Sequence, residues 1–296
     1  MGLQNQAEDL ARFETIDAFR LYLDQQRAAG KRIGFVPTMG YLHEGHLSLV
    51  RAARQSSDIV TMSIFVNPRQ FTPQEDLEAY PRDMQRDLHL AQQAGADAVF
   101  TPAIEEMYPS AFNTEVVVHD LTDTLCGRSR PGHFKGVTTV VAKLFNIVGP
   151  SNAYFGQKDY QQVAVIRKMV ADLAIPINVV TCPTVREKDG LAMSSRNAYL
   201  SPPQRQAALV LWRALQIAKH QVDQGERQAT KLLQTLQDFI CAEPGAEIDY
   251  VAISDPRTLQ EIDSLCGTVL IALAVHIGKT RLIDNMLLPV DSENNA

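Results

Sequence analysis

The sequence predicts an α/β protein: a doubly wound parallel sheet with a smaller α+β domain after it. Two observations carry that expectation. Short apolar runs alternate with stretches of helical period through the first half, which is the order that builds parallel βαβ units. Past residues 183–186 the order changes to two helical stretches followed by three strand-like runs. A domain boundary is therefore expected there, dividing 1–184 from 185–296.

The elements follow in order. Thr15 is a candidate N-cap. Ile16, Phe19 and Leu23 recur at helical spacing after it, and Gly30 is placed as a stop. IGFV (33–36) is a short strand ended by Pro37, and Glu44 to Gln55 reads as a helix. DIVTMSIFV (58–66) is the clearest buried strand, rich in β-branched residues and closed by Asn67-Pro68. A polar loop leads to a helix over Arg82–Ala94, stopped by Gly95, and then to the strand ADAVF (96–100). EVVV (115–118) reads as a strand, and GRSRPGHFKG (127–136) as a basic loop carrying Arg128, Arg130, His133 and Lys135. A helix over 137–147 ends at Gly149-Pro150. The strand AYF (153–155), a helix over 160–173 and the strand INVVTCP (177–183) complete the series. Beyond it, helices are expected over 203–224 and 227–242, and strands over 248–253, 268–275 and 280–286. The tail DSENNA is expected to fray.

Bulk properties exclude several classes. A chain of 296 residues with 45% hydrophobic and 21% charged residues is globular and long enough for two domains. Its net charge of −6 argues against a protein whose main task is gripping nucleic acid. No apolar run reaches the ~18 residues that span a bilayer. The acidic opening MGLQNQAEDLARFE does not read as a signal or transit peptide, so a cytoplasmic location is expected. Cys126, Cys182, Cys241 and Cys266 have no CxxC spacing and are expected to be buried apolar residues of a reducing compartment.

Four segments carry chemistry. PTMGYLHEGHLSLV (37–50) runs from a strand into a helix. His43 and His46, three apart, share a face of the first turn, where the helix's positive end and two imidazole donors suit phosphates. A metal site is the rival reading, but a third ligand at recognisable spacing is missing. A solvated histidine pair is the other. AYFGQKDYQQ (153–162) is a second strand-to-helix junction. There Lys158 suits a phosphate, while Asp159 is either a helix cap or a ribose partner. DGLAMSSRNAYLS (189–201) sets Ser194 and Ser195 beside Arg196, a combination suited to an anion, with Ser201 capping the next helix. In SIFVNPRQF (63–71), Asn67 and Gln70 are neutral donors and acceptors at a buried strand end. Asp87 is a candidate magnesium ligand, but on a helix it reads as a solvated surface carboxylate.

In this order, PTMGYLHEGH, FVNPRQF, SRPGHFKGVTTVVAKLFN, FGQKDYQQ, MSSRN and RLIDN resemble the pantothenate synthetase family over about residues 32–285. The combination is specific, whereas HxGH alone marks only the wider nucleotidyltransferase superfamily. The resemblance implies a Rossmann-like N-terminal domain, a C-terminal lid and a homodimer. It also implies ATP-dependent joining of pantoate to β-alanine through pantoyl adenylate, with Mg2+ accompanying ATP and no metal site assigned to the protein.

Residue by residue, the resemblance implies that Met39, Gly40, Tyr41, Leu42, His43, Glu44, Gly45 and His46 line the ATP site, with His43 as general acid. Gly156, Gln157, Lys158 and Asp159 meet ATP, as do Val185, Met193, Ser194, Ser195 and Arg196. Gln70 and Gln162 hold pantoate, and Gln70 also borders β-alanine. His43, His46, Lys158, Ser195 and Arg196 form the catalytic set, which stabilises charge on the leaving pyrophosphate. The loop 127–136, through Arg130 and His133, is expected to close over a bound carboxylate or intermediate. Other readings of the same residues are a transferase that leaves the nucleotide on its product, an aminoacyl-tRNA synthetase, and an ATP sensor without turnover.

Overall fold

The computed structural model describes residues 10–72 and 77–290. The leading residues and the DSENNA tail lie outside them. The elements run β1 (Ala11–Phe13), α1 (Ile16–Ala28), β2 (Ile33–Thr38), α2 (Glu44–Ser56), β3 (Ile59–Ile64), α3 (Met84–Ala94), β4 (Ala98–Phe100), α4 (Ile104–Met107), α5 (Leu125–Ser129), α6 (His133–Val148), β5 (Ser151–Gly156), α7 (Tyr160–Asp172), β6 (Ile177–Cys182), α8 (Pro202–Ala207), α9 (Leu209–Asp223), α10 (Ala229–Cys241), β7 (Ala246–Ser254), β8 (Gly267–Ile277) and β9 (Thr280–Val290). They pack as two compact units. The first holds residues up to Val117, Gly132–Gly156 and Ile166–Cys182. The second holds Val118–Pro131, Gln157–Val165 and everything from Pro183 on. Packing thus interleaves the chain, where a boundary near 183–186 cuts it once.

The first unit carries a six-stranded sheet in the order β1-β4-β3-β2-β5-β6, with every pair parallel. This is the Rossmann-like doubly wound sheet. Its strands are buried apolar runs: Phe35, Val36, Val60, Met62, Val99 and Phe100 have no exposed surface. Each such side chain stabilises the fold by about 1.5–3 kcal/mol. Thr15 accepts from the Ala18 amide and starts α1, which buries Phe19 and Leu23. Phe19 then stacks on Phe100 at 4.8 Å. The chain runs from β2 outward through β3 to β4, then returns to place β5 on the other side of β2. The reversal makes a topological switch point at the C-terminal ends of β2 and β5, where ligands of such sheets bind.

The second unit holds an antiparallel sheet, β7-β8-β9. The expected strand over 268–275 lies in its central strand β8, with Leu270, Ile271 and Leu273 fully enclosed. Packed against it are Leu211, Leu215, Leu232, Leu236 and Ile240 from α9 and α10. The expected helix over 203–224 divides at Ala208, whose backbone stays helical (φ −58°, ψ −22°).

Three expectations need correction, and one strand is new. Residues 115–118 form no strand. The Val116 amide donates to Thr139 Oγ1 (3.0 Å), and the Val116 carbonyl accepts from Thr138 Oγ1 (2.6 Å), so threonines of α6 take the place of a sheet neighbour. The segment 127–136 is not a loop: α5 ends at Ser129 and α6 begins at His133. β1 is an addition to the expected elements, because a three-residue strand is too short for a pattern to register. Cys126 and Cys182 are buried, but Cys241 and Cys266 are exposed, all four as free thiols.

Candidate functional site

In the first unit the segment after β2 turns through two left-handed residues, Gly40 (φ 83°) and Tyr41 (φ 50°). Such a conformation costs a non-glycine residue about 1 kcal/mol or more, and it persists only where the surroundings enforce it. The enforcing group is Asp87 of α3. Its carboxylate is 1% exposed and accepts from the amides of Tyr41 (2.7 Å) and Leu42 (2.7 Å). A Cβ at Gly40 would lie 2.9 Å from Asp87 Oδ2 and 3.0 Å from Ile64, so the bend and its brace fit only around glycine. Burial raises the Asp87 carboxyl above the ordinary range, opposed by the Leu42 and Tyr41 amides. Asp87 is therefore no solvated surface carboxylate, and that expectation is corrected. Sequence pattern hid it, because one acid on a polar helix face does not declare a distant loop as its partner.

α2 starts on this bend. His43 is its N-cap. His43 Nδ1 accepts from the Gly45 amide (3.1 Å) and His46 Nδ1 from the His43 amide (3.3 Å). The rings lie 4.1 Å apart. Since both Nδ1 atoms act as acceptors, each neutral imidazole carries its proton on Nε2. Two N–H donors thus stand at the positive end of a helix, at the C-terminal edge of β2. Glu44 is occupied by Arg51, its partner on the same helix, which lowers its carboxyl below the usual range. Leu42 is fully buried, and its amide is taken by Asp87. Met39 receives an N–H from Gln70 Nε2 at 3.0 Å.

Gln70 ends the turn Pro68–Gln70. α6 presses on that turn through Gly136, where a Cβ would lie 2.2 Å from the Arg69 carbonyl oxygen. Asn67, 1% exposed, donates to Gln70 Oε1 and to the Gly136 carbonyl (both 3.1 Å). His133 Nδ1 lies 2.7 Å from the Gln70 carbonyl oxygen and the residue is 8% exposed, so it is a buried partner of this turn and not part of a mobile loop. Gly156 ends β5 in the same unit.

The second unit holds the remaining candidates. Gln157–Asp159 form a 3-10 turn that runs directly into α7, so Asp159 is not at a free helix start. It lies 3.7 Å from Lys158 Nζ. Asn285 of β9, 4% exposed, donates from Nδ2 to the carbonyls of Gln157 (3.0 Å) and Lys158 (2.8 Å). Its neighbour Asp284 holds Arg186 bidentately (2.6 and 2.9 Å), and Arg186 stacks on Trp212 at 4.0 Å. Arg186 bridges to Ala192 and the Met193 amide donates to the Val185 carbonyl (3.0 Å). This brings Val185 beside Met193. Ser194 then caps the turn Ser195–Tyr199, accepting from the Arg196 amide (3.3 Å). Successive residues of β9 thus hold both the Lys158 turn and the hairpin leading to Ser195 and Arg196. The RLIDN segment is part of the resemblance, but nothing in its pattern signals these partners. Gln162 sits half-buried on α7.

A profile described as pantoate-beta-alanine ligase matches residues 11–287. The chain belongs to that family. It is therefore an enzyme, a ligase of pantothenate biosynthesis. Among its relatives, the pantothenate synthetase of Moorella thermoacetica is 60% identical over 278 residues, covering 94% of this chain and 98% of that protein. The one from Heliobacterium modesticaldum is 58% identical over 277 residues, covering 94% and 99%. The crystal structure of the Thermus thermophilus enzyme superposes with a TM-score of 0.89 at 47% identity, covering 94% and 99%. A pantoate-beta-alanine ligase from Francisella tularensis, complexed with beta-gamma ATP and beta-alanine, superposes at 0.78 with 34% identity, covering 94% and 97%.

Proposed function

We propose that the protein condenses pantoate with β-alanine through a pantoyl-adenylate intermediate, consuming ATP. A carboxylate oxygen of pantoate attacks the α-phosphorus. The new P–O bond forms as the bond to the bridging oxygen breaks, and pyrophosphate leaves. The β-alanine amine then attacks the acyl carbon. The acyl C–O bond breaks, AMP departs with its electron pair, and the amine loses a proton as the amide forms.

The observation that carries this reading is the start of α2. Two reciprocally capping imidazoles present Nε2–H donors at a helix N-terminus, on a bend held by a buried carboxylate. A carboxylate nucleophile is already ionised at neutral pH, so adenylation asks mainly for fixed donors where charge develops. His43 and His46 are such donors, and His43 is the one assigned as general acid. Lys158, Ser195 and Arg196 complete the catalytic set. Met39–His46, Gly156–Asp159, Val185 and Met193–Arg196 are assigned to ATP, Gln70 and Gln162 to pantoate, and Gln70 also to β-alanine. The ligands of the Francisella tularensis relative support ATP and β-alanine as substrates.

Magnesium accompanies ATP in this reading. Among the described residues no group of three His, Cys, Asp or Glu side chains gathers as a metal site. A magnesium ion carried by phosphates and water needs none, and it would neutralise charge on the triphosphate. The homodimer, the cytoplasmic location and the division into a 1–184 nucleotide- and pantoate-binding domain and a 185–296 lid are parts of the same proposal; the family resemblance supports the homodimer and the lid.

The test is pyrophosphate release from magnesium-ATP. It is expected only with pantoate, and AMP is expected only once β-alanine is also present. Pyrophosphate release indifferent to pantoate would refute the reading.

A further inference from the structure

We infer that Tyr108 is a positioning residue which, acting through Asn67, turns the amide N–H2 of Gln70 toward substrate, so that Gln70 meets oxygen acceptors of the acid. The inference rests on the reading of Gln70 as a pantoate residue and specifies how it acts.

Backbone groups of fixed polarity set the chain of bonds. The Arg69 amide donates to Asn67 Oδ1 at 3.2 Å, and Asn67 Nδ2 donates to the Gly136 carbonyl at 3.1 Å. A backbone N–H can only donate and a carbonyl can only accept, so the two ends of the Asn67 amide are not interchangeable. The second hydrogen of Nδ2 then goes to Gln70 Oε1, which fixes the Gln70 amide in turn and leaves Nε2 on its other side. One Nε2 hydrogen rests on the sulfur of Met39, a weak acceptor, and a substrate carboxylate or hydroxyl would be a better one.

Tyr108 closes the chain. Its hydroxyl donates to Asn67 Oδ1 at 2.8 Å, the shortest bond that Asn67 makes. Burial pushes the phenol up to about 12, so it remains a donor at any working pH. The ring is held independently of the hydroxyl, against Phe65, Phe112 and the Arg69 guanidinium. Removing the oxygen therefore loosens the amide chain without unseating the ring.

The experiment measures the pantoate dependence of pyrophosphate release in Tyr108→Phe. Its pantoate KM is expected to rise about three- to ten-fold, the worth of one buried hydrogen bond, with the ATP KM within about two-fold of wild type. In a Gln70→Ala background the same substitution should add nothing, because the path runs through Gln70. Gln70→Glu keeps an acceptor for Asn67 but removes the N–H2, and it should raise the pantoate KM more than Tyr108→Phe does. An unchanged pantoate KM in Tyr108→Phe, equal rises for ATP and pantoate, full additivity with Gln70→Ala, or a tolerated Gln70→Glu would each overturn the inference. The wild-type assay is read first. If it shows no dependence on pantoate, the function proposed above fails, and this inference falls with it.

Discussion

The bend after β2 and the turn after β5 face the same physical problem and solve it with opposite chemistry. At Gly40–Leu42 the backbone offers amide hydrogens, and the group that holds them is an acceptor, the buried carboxylate of Asp87. At Gln157–Lys158 the backbone offers carbonyl oxygens, and the group that holds them is a donor, the buried amide of Asn285. Both segments run from a strand into a helix; they differ in which buried backbone groups are left for a side chain to satisfy. The polarity of the loop thus selects the residue that braces it. The consequences differ too. Asp87 brings a charge whose cost of burial is offset in part by its hydrogen bonds, while Asn285 brings none.

The largest expected effect concerns what the second brace presents. Lys158→Ala should lower the turnover of adenylation roughly 10²–10³-fold while changing the ATP KM little, because a fixed cation acts on charge that develops in the transition state. Single-turnover pyrophosphate release separates the two, and a variant altered only in ATP KM would remove Lys158 from that role.

Asp87→Ala comes next. It strands two buried amides on a bend with positive φ, and urea denaturation should show a loss of roughly 2–5 kcal/mol. Asn285→Ala should cost less, about 1–2 kcal/mol, since it removes one donor group from carbonyls that tolerate partial satisfaction better. Equal losses for the two would break the comparison.

The pH dependence sharpens it. The folded Asp87 carboxyl lies above its unfolded value. Its favourable contribution is therefore complete below the unfolded pKa of about 3.9 and is lost as pH rises through the raised folded value. The stability difference between wild type and Asp87→Asn should shrink from about pH 4 upward and then level off, while the Asn285→Ala difference stays flat. The smallest effect belongs to Asp58, an exposed carboxylate held by Arg32 through a side-chain pair and the Arg32 amide. These bonds bring it down to about 2. The sign reverses: its small contribution is present above about pH 4 and disappears as pH falls toward about 2. Asp58→Asn should match wild type in acid and fall slightly below it at neutral pH.

Much of the architecture was legible because periodicity reports burial. The strands around Val36, Met62 and Phe155, the cap at Thr15 and the stops at Gly30 and Gly95 all follow from local chemistry. Local chemistry also misled. EVVV has strand composition, but no sheet neighbour reaches it, and Thr138 and Thr139 satisfy it instead. GRSRPGHFKG has loop composition, but His133 finds the Gln70 carbonyl and a helix starts there. In each case the deciding group lies tens of residues away.

The same division holds for the candidate site. By itself the sequence determined the alternating sheet, the two strand-to-helix junctions that carry His43, His46 and Lys158, and the family to which their combination points, because these depend on residue type and short spacing. Only the tertiary structure decided which buried side chains hold the site's segments in shape: Asp87 under one junction, Asn285 under the other, Asp284 under the hairpin leading to Ser195, and Asn67 with Tyr108 beside Gln70. A hydrogen bond between residues tens of positions apart, or more than a hundred, leaves no period in the chain. It exists because folding brings an unpaired backbone group and a matching polar atom together where water cannot compete.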